Sequence, residues 1–303
     1  MVREYQYKVA RLPFRVVFEN CGQNGANGGI NDEHLIPSCR PFMTDLTDEP
    51  VNFVLTVDDT FRPDKKGKEI GQFDCGGNNH GVYLKEDGSY QILVSDVYQR
   101  KCCLLEASPD FSRGTVALRG DESMRTFGLN NSLMMMFAFA NAQNCTLLMH
   151  SSVIRKDGIG YLFLGVSGTG KSTHTQHWLD WIEGTDLMND DNPVVRFIDG
   201  QAVVFGSPWS GKTPCYRNIE APVGGFVQLK QAPYNKIRQM EVIETFASIL
   251  PSCSVMKWDK RVYTGICDTV ANIMEVTRTY FLENLPDREA VELSYATLTA
   301  KKQ

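Results

Sequence analysis

The sequence predicts a mixed α/β protein, and three observations carry that expectation. At residues 161–178 an apolar run, YLFLG, passes through a glycine-rich turn, VSGTG, into a helical run, KSTHTQHW. Between residues 51 and 118 short β-branched and aromatic runs alternate with turn signals, as half-buried strands do. Helical spacing of apolar residues dominates residues 121–143 and returns at 240–249, at 268–279 and from Asp287 onward.

In chain order, YQYKVARLPFRVVFE (residues 5–19) alternates enough for one or two strands, with Pro13 near a bend. CGQNGANGGINDEH (residues 21–34) offers nothing to bury and reads as an exposed loop or a lid. VNFVLTV, HGVYLKE, YQILVSDVY and GTVALR read as strands of an antiparallel region, with a turn at Glu86-Asp87-Gly88. The lysine-rich run at residues 62–68 is balanced by acids and lacks interleaved aromatics, so it reads as a solvated loop. From Asp121 the pattern turns helical through Met124, Phe127, Met134 and Phe137, with the methionines as core filler. CTLLMHSSVIRKDGIGYLFLGV then reads as a strand, a turn at Lys156-Asp157-Gly158 and a second strand; VVRFI and AVVFG form a hairpin across Asp199-Gly200. The expected division is a β-rich region at 1–120 and an α/β core at 121–303.

Composition narrows the function classes. The chain has 303 residues, 42% hydrophobic and 22% charged, as soluble globular proteins do. A net charge of −5 leaves no global positive field to attract nucleic acid. The nine cysteines contain no C-x-x-C pair, so neither a zinc ribbon nor a disulfide framework is indicated. The longest apolar window, LMMMFAFA, is too short to span a bilayer, and the N-terminus lacks the apolar core of a signal peptide. A cytoplasmic protein is expected.

The chemistry centres on the glycine-rich turn. Gly165, Gly170, Lys171 and Ser172 stand at the spacing G-x-x-x-x-G-K-[ST] of the P-loop, or Walker A motif. Glycines at 165, 168 and 170 let backbone N–H groups turn inward, and the following helix adds its positive end. Residues Gly165, Ser167, Gly168, Thr169, Gly170, Lys171, Ser172 and Thr173 are therefore the expected nucleotide-binding set. Lys171 reaches the β- and γ-phosphates, and Ser172 offers its hydroxyl to Mg²⁺. A strand-to-helix turn without a ligand is the competing explanation.

Some twenty residues on, Asn189-Asp190-Asp191 follows an apolar segment. A carboxylate there suits Mg²⁺, and a second beside it suits proton acceptance; a plain turn is the alternative. His150, in LMHSSV, is placed to tune a carboxylate or to ligate a metal, against the commoner role of a core histidine. His174 and His177 share a helix face and are assigned to surface or packing. The run GSPWSGKTPCYRN (206–218) gathers Lys212 and Arg217, expected to clamp a phosphate or carboxylate of the second substrate, or else to be incidental loop charges.

Together, Met149-His150-Ser151-Ser152, the run GVSGTGKST from Gly165 to Thr173, and Asn189-Asp190-Asp191 resemble the superfamily shared by HPr kinase/phosphorylase and ATP-dependent phosphoenolpyruvate carboxykinase. The resemblance covers about residues 145–230. It implies a P-loop core of that type beside the β-rich N-terminal region. ATP would be the phosphoryl donor with Mg²⁺ or Mn²⁺, an unidentified hydroxyl the acceptor, and a homo-oligomer the assembly. By the HPr kinase pattern Asp190 is the catalytic base with His150 nearby, Lys171 binds phosphate, and Ser172 and Asp191 hold metal. By the carboxykinase pattern His150 and Asp191 hold Mn²⁺. The leading expectation is thus a kinase acting on a small molecule or a protein serine; the others are a compact carboxykinase-like lyase and a nucleotide-binding module without turnover. GSPWSGKTPCYRN stands where HPr kinases carry a signature, so the acceptor stays open.

Overall fold

In the computed structural model the described residues are 2–21, 32–74, 79–211 and 213–300. Most of the Gly- and Asn-rich run at 21–34 lies outside them, and so does Lys212. The chain is mixed α and β, with two large sheets and few helices, in two compact units, Met1–Asn141 and Ala142–Gln303.

The first unit holds β1 (Arg3–Val9), β2 (Leu12–Phe18), β3 (Met43–Thr44), β4 (Phe53–Val57), β5 (Lys68–Asp74), β6 (Asn79–Leu84), β7 (Tyr90–Ser95), β8 (Lys101–Ala107) and β9 (Arg113–Leu118). Their order in one sheet is β3-β1-β2-β4-β9-β8-β7-β6-β5. The sequence suggests an antiparallel region; most pairs are antiparallel, but β4 runs parallel to both β2 and β9. Parallel neighbours need long crossovers, and local alternation carries no trace of them.

Helix α1 (Glu122–Ala140) starts at Asp121, whose side chain accepts from the Met124 N–H. The sequence pattern predicts this helix for the second region, 121–303. It belongs to the first unit, because Leu129, Leu133, Met136 and Phe137 are fully buried and Phe137 packs edge-on against Phe14, itself stacked on Phe53. A helix docks where its apolar face is covered, whatever its position in the chain.

The second unit comprises β10 (Thr146–Leu148), β11 (Ser152–Lys156), β12 (Ile159–Leu164), α2 (Lys171–Trp181), β13 (Thr185–Asn189), β14 (Val194–Ile198), β15 (Gln201–Phe205), β16 (Glu220–Gln231), β17 (Lys236–Gln239), α3 (Val242–Ile249), α4 (Lys260–Val276), β18 (Thr279–Asn284) and α5 (Arg288–Thr299). The main path of its sheet is β10-β14-β15-β16-β12-β11-β13, and β18 joins β16 to β17. The β14–β15 hairpin turns on Asp199 and Gly200, both at positive φ, as expected. Where the sequence suggests a helix at 268–279, α4 begins eight residues earlier behind an Asp259 cap and ends at Val276. Thr279 already belongs to the sheet.

Strand direction positions the site. β12 runs parallel to β16, and β11 is antiparallel to both β12 and β13. β12, β13 and β16 therefore all point their carboxyl ends at one sheet edge, where β11 begins. Helix α2 is pinned beneath that edge by a cluster of Ile154, Phe163, Trp178, Val227, Leu282 and Val291, contributed by the sheet, α2 and α5. Trp178 is fully buried. Large-to-small changes at such positions cost about 3–5 kcal/mol, so the helix start has little freedom to wander. Among the described residues no helix is long and apolar enough to cross a membrane.

Candidate functional site

β12 ends at Leu164 and α2 begins at Lys171, and the glycine loop fills the interval. Gly168 (φ 84°) and Gly170 (φ 103°) lie in the left-handed region, and a Cβ at either would meet no atom within 4 Å. Backbone conformation, rather than crowding, thus demands glycine here. The turn closes on itself as Thr169 donates through N–H and hydroxyl to the Val166 carbonyl. No side chain caps α2, whose N-cap is Gly170. The first turn of a helix leaves orphan N–H donors, so this loop can receive anionic oxygens on backbone amides. Ser167, Ser172 and Thr173 are exposed and Gly165 is buried.

Lys171 is buried, at 8% exposure. Its ammonium donates to the Gly165 carbonyl at 2.7 Å and reaches the Val166 carbonyl at 3.4 Å. It also lies 3.0 Å from His150 Nε2. Burial pulls the Lys171 pKa below the usual lysine range, while Asp191 and Asp190 oppose that pull.

His150 precedes β11, and β11 pairs with β13, so register delivers the histidine to the acids. His150 Nδ1 is 2.9 Å from Asp191 Oδ1, and Asp191 Oδ2 accepts from Asn192 Nδ2 at 2.7 Å. Asp190 is buried; its Oδ1 accepts from the Ser152 hydroxyl at 2.8 Å, while Oδ2 is buried without a hydrogen-bond partner. Ser152 in turn touches the Thr175 hydroxyl of α2 at 3.0 Å. The two carboxylates therefore face different surroundings, one half-open beside an imidazole, the other enclosed and tied to the helix.

Asn189, fully buried, organises the turn that carries both acids. Its Oδ1 accepts from the N–H groups of Asp191 and Asn192, each at 2.9 Å, and its Nδ2 donates to Ser207 Oγ and the Trp209 carbonyl, each at 3.1 Å. This holds Ser207 and Trp209 against the acid-bearing turn. A Cβ on Gly211 would stand 2.9 Å from the Asp190 carbonyl.

Of the residues expected from sequence, Lys171, His150, Asp190, Asp191 and the glycine loop come together at one edge. Arg217 is engaged elsewhere. Its guanidinium pairs with Asp186 and donates to the Leu187 carbonyl at 2.6 Å, and Arg155 clamps the same carboxylate at 2.9 and 3.0 Å. Burial would favour a neutral Asp186, but hydrogen bonds from Arg155 and Arg217 hold its carboxyl below the usual range. Lys212 is outside the described residues. His177 stacks on Trp181 with ring centroids 4.5 Å apart, and His174 lies in the core, as the packing assignment anticipates.

Ser152, Thr175, Asn189 and Ser207 carry no role in the sequence pattern alone. Ser152, two residues past His150, and Asn189, beside the acid pair, were visible in the motifs; the partners that make them matter are distant in sequence. Among the described residues no cluster of three or more His, Cys, Asp or Glu gathers as a metal centre. A groove of about 780 Å³ between α3 and α4 contains none of the site residues. No protein-family model and no curated protein matches this chain.

Proposed function

We propose that the chain is an ATP-dependent phosphotransferase, related to the HPr kinase and phosphoenolpyruvate carboxykinase superfamily, that moves the γ-phosphoryl group to a hydroxyl of a small molecule or a protein serine. One observation carries the reading: a glycine loop with its lysine, a histidine and two adjacent aspartates meet at the carboxyl edge of one sheet, where open α/β sheets bind ligands.

In that reading the loop amides and the first turn of α2 receive the phosphate oxygens, and Lys171 adds a positive charge against the β- and γ-phosphates. Asp190 accepts the proton of the attacking hydroxyl. Ser152 fixes its Oδ1, and Oδ2 is a buried acceptor without a protein donor, so a small rotation of the turn would have to open it to the substrate hydroxyl. Ser172 and Asp191 would supply oxygen donors of the kind that Mg²⁺ takes. When bound, such an ion offsets charge on the transferring phosphoryl group.

The 2.9 Å contact between His150 and Asp191 also supports a carboxykinase-like reading, in which these two hold Mn²⁺. Mn²⁺-dependent decarboxylation of oxaloacetate with ATP, lost in His150→Ala, would select it over the kinase.

The central test is Lys171→Met, which keeps most of the buried stem. ATP turnover against a metabolite and peptide panel is expected to fall by about 10²–10³ with far-UV circular dichroism unchanged. Undiminished turnover would end the proposal.

A further inference from the structure

Lys171 is already fully committed. Its three protons face the Gly165 carbonyl at 2.7 Å, His150 Nε2 at 3.0 Å and the Val166 carbonyl at 3.4 Å. The imidazole is equally constrained. With Nδ1–H donated to Asp191 Oδ1, the lone pair of the ring lies on Nε2, and Lys171 covers it. The His150 side chain is 44% exposed, so the lysine, rather than burial, occupies the acceptor. A triphosphate in the glycine loop presents charged oxygens, which bind an ammonium more strongly than a neutral imidazole or carbonyl does. One Nζ cannot serve two phosphate oxygens and retain all three present partners.

We propose that Lys171 masks Nε2 of His150 and uncovers it when a triphosphate draws the ammonium away, so that a ligand can engage Nε2 of the His150–Asp191 pair only after the nucleotide. This rests on the nucleotide reading above and adds an order of binding to it. By linkage, a ligand that engages Nε2 must also tighten nucleotide binding, since both favour the displaced lysine.

The test is NMR of the imidazole nitrogens of the full chain, labelled at its five histidines, at pH 8. His150→Gln assigns the His150 signals. A non-hydrolysable ATP analogue without divalent cation is the probe, and calorimetry follows its binding. Nε2 of His150 is expected to move downfield, toward an uncovered lone pair, when the analogue binds. Lys171→Met should produce the same shift with no nucleotide present. If the analogue binds the wild type and Nε2 stays where it was, the masking role is refuted while nucleotide binding stands. An unshifted Nε2 in a folded Lys171→Met protein refutes it as well. No binding of the analogue overturns the nucleotide reading and the masking role together.

Discussion

Lowering the pH from 7 to 5 is expected to destabilise the second unit by about 2 kcal/mol through one residue, His174. Its ring is buried in α2, 4.8 Å from the Phe163 ring. Ser294 Oγ lies 3.1 Å from His174 Nε2, accepts from Trp178 Nε1 at 3.0 Å and donates its own proton to the Val291 carbonyl. Trp178 Nε1 also donates to His174 Nε2 at 3.3 Å, and Nδ1 is buried without any partner. A doubly protonated ring would leave its Nδ1 proton without an acceptor and set its Nε2 proton against the Trp178 N–H, with no counter-charge. Burial accordingly depresses the His174 pKa from 6.5 to about 3.

The unfolded chain takes up that proton below 6.5 and the folded chain does not. Stability is complete above about 6.5 and falls with acidification down to about 3, at about 1.4 kcal/mol per pH unit. All four tryptophans, Trp178, Trp181, Trp209 and Trp258, lie in the second unit, so their fluorescence reports its unfolding. Urea titrations at pH 7 and pH 5, on the wild type and on His174→Gln, isolate the contribution of His174 because the other histidines are common to both proteins. The wild type should lose about 2 kcal/mol more than the variant between the two pH values. Equal losses would show that His174 is protonated in the folded protein and that its surroundings are not those described.

Two further outcomes follow from the acid-bearing turn and its neighbours. Asn189→Ala removes an acceptor from two N–H groups and a donor from Ser207 and Trp209, so urea unfolding should show a loss of about 2–3 kcal/mol, with a fall in any phosphotransfer activity as Asp190 and Asp191 lose their fixed turn. Arg217→Ala breaks a half-exposed ion pair with Asp186, whose other partner Arg155 remains; stability should fall by about 1 kcal/mol or less, and the acceptor KM should stay within twofold of wild type, whereas a large rise would restore Arg217 to substrate contact.

Much was legible in the sequence because local physics decides it. The mixed α/β class, the strand–glycine loop–helix unit, the Asp199-Gly200 hairpin and the Asp287 start of α5 depend on turn chemistry, capping and periodicity within a dozen residues. The spacing of Gly165, Gly170, Lys171 and Ser172 likewise singled out the loop around which the candidate site is built. What lies far apart in the chain was not legible. Only tertiary structure assigned α1 to the first sheet, because docking depends on which apolar surface is left to cover. Only the β11–β13 register brought His150 to Asp191, and Ser152 to Asp190 across 38 residues. Arg217 looked available for a ligand until the fold set Asp186 beside it. Motifs name the residue types that a chemistry requires, but the partner of each charged group is chosen by folding, since a buried or half-buried charge takes whatever counter-charge the packing brings within reach.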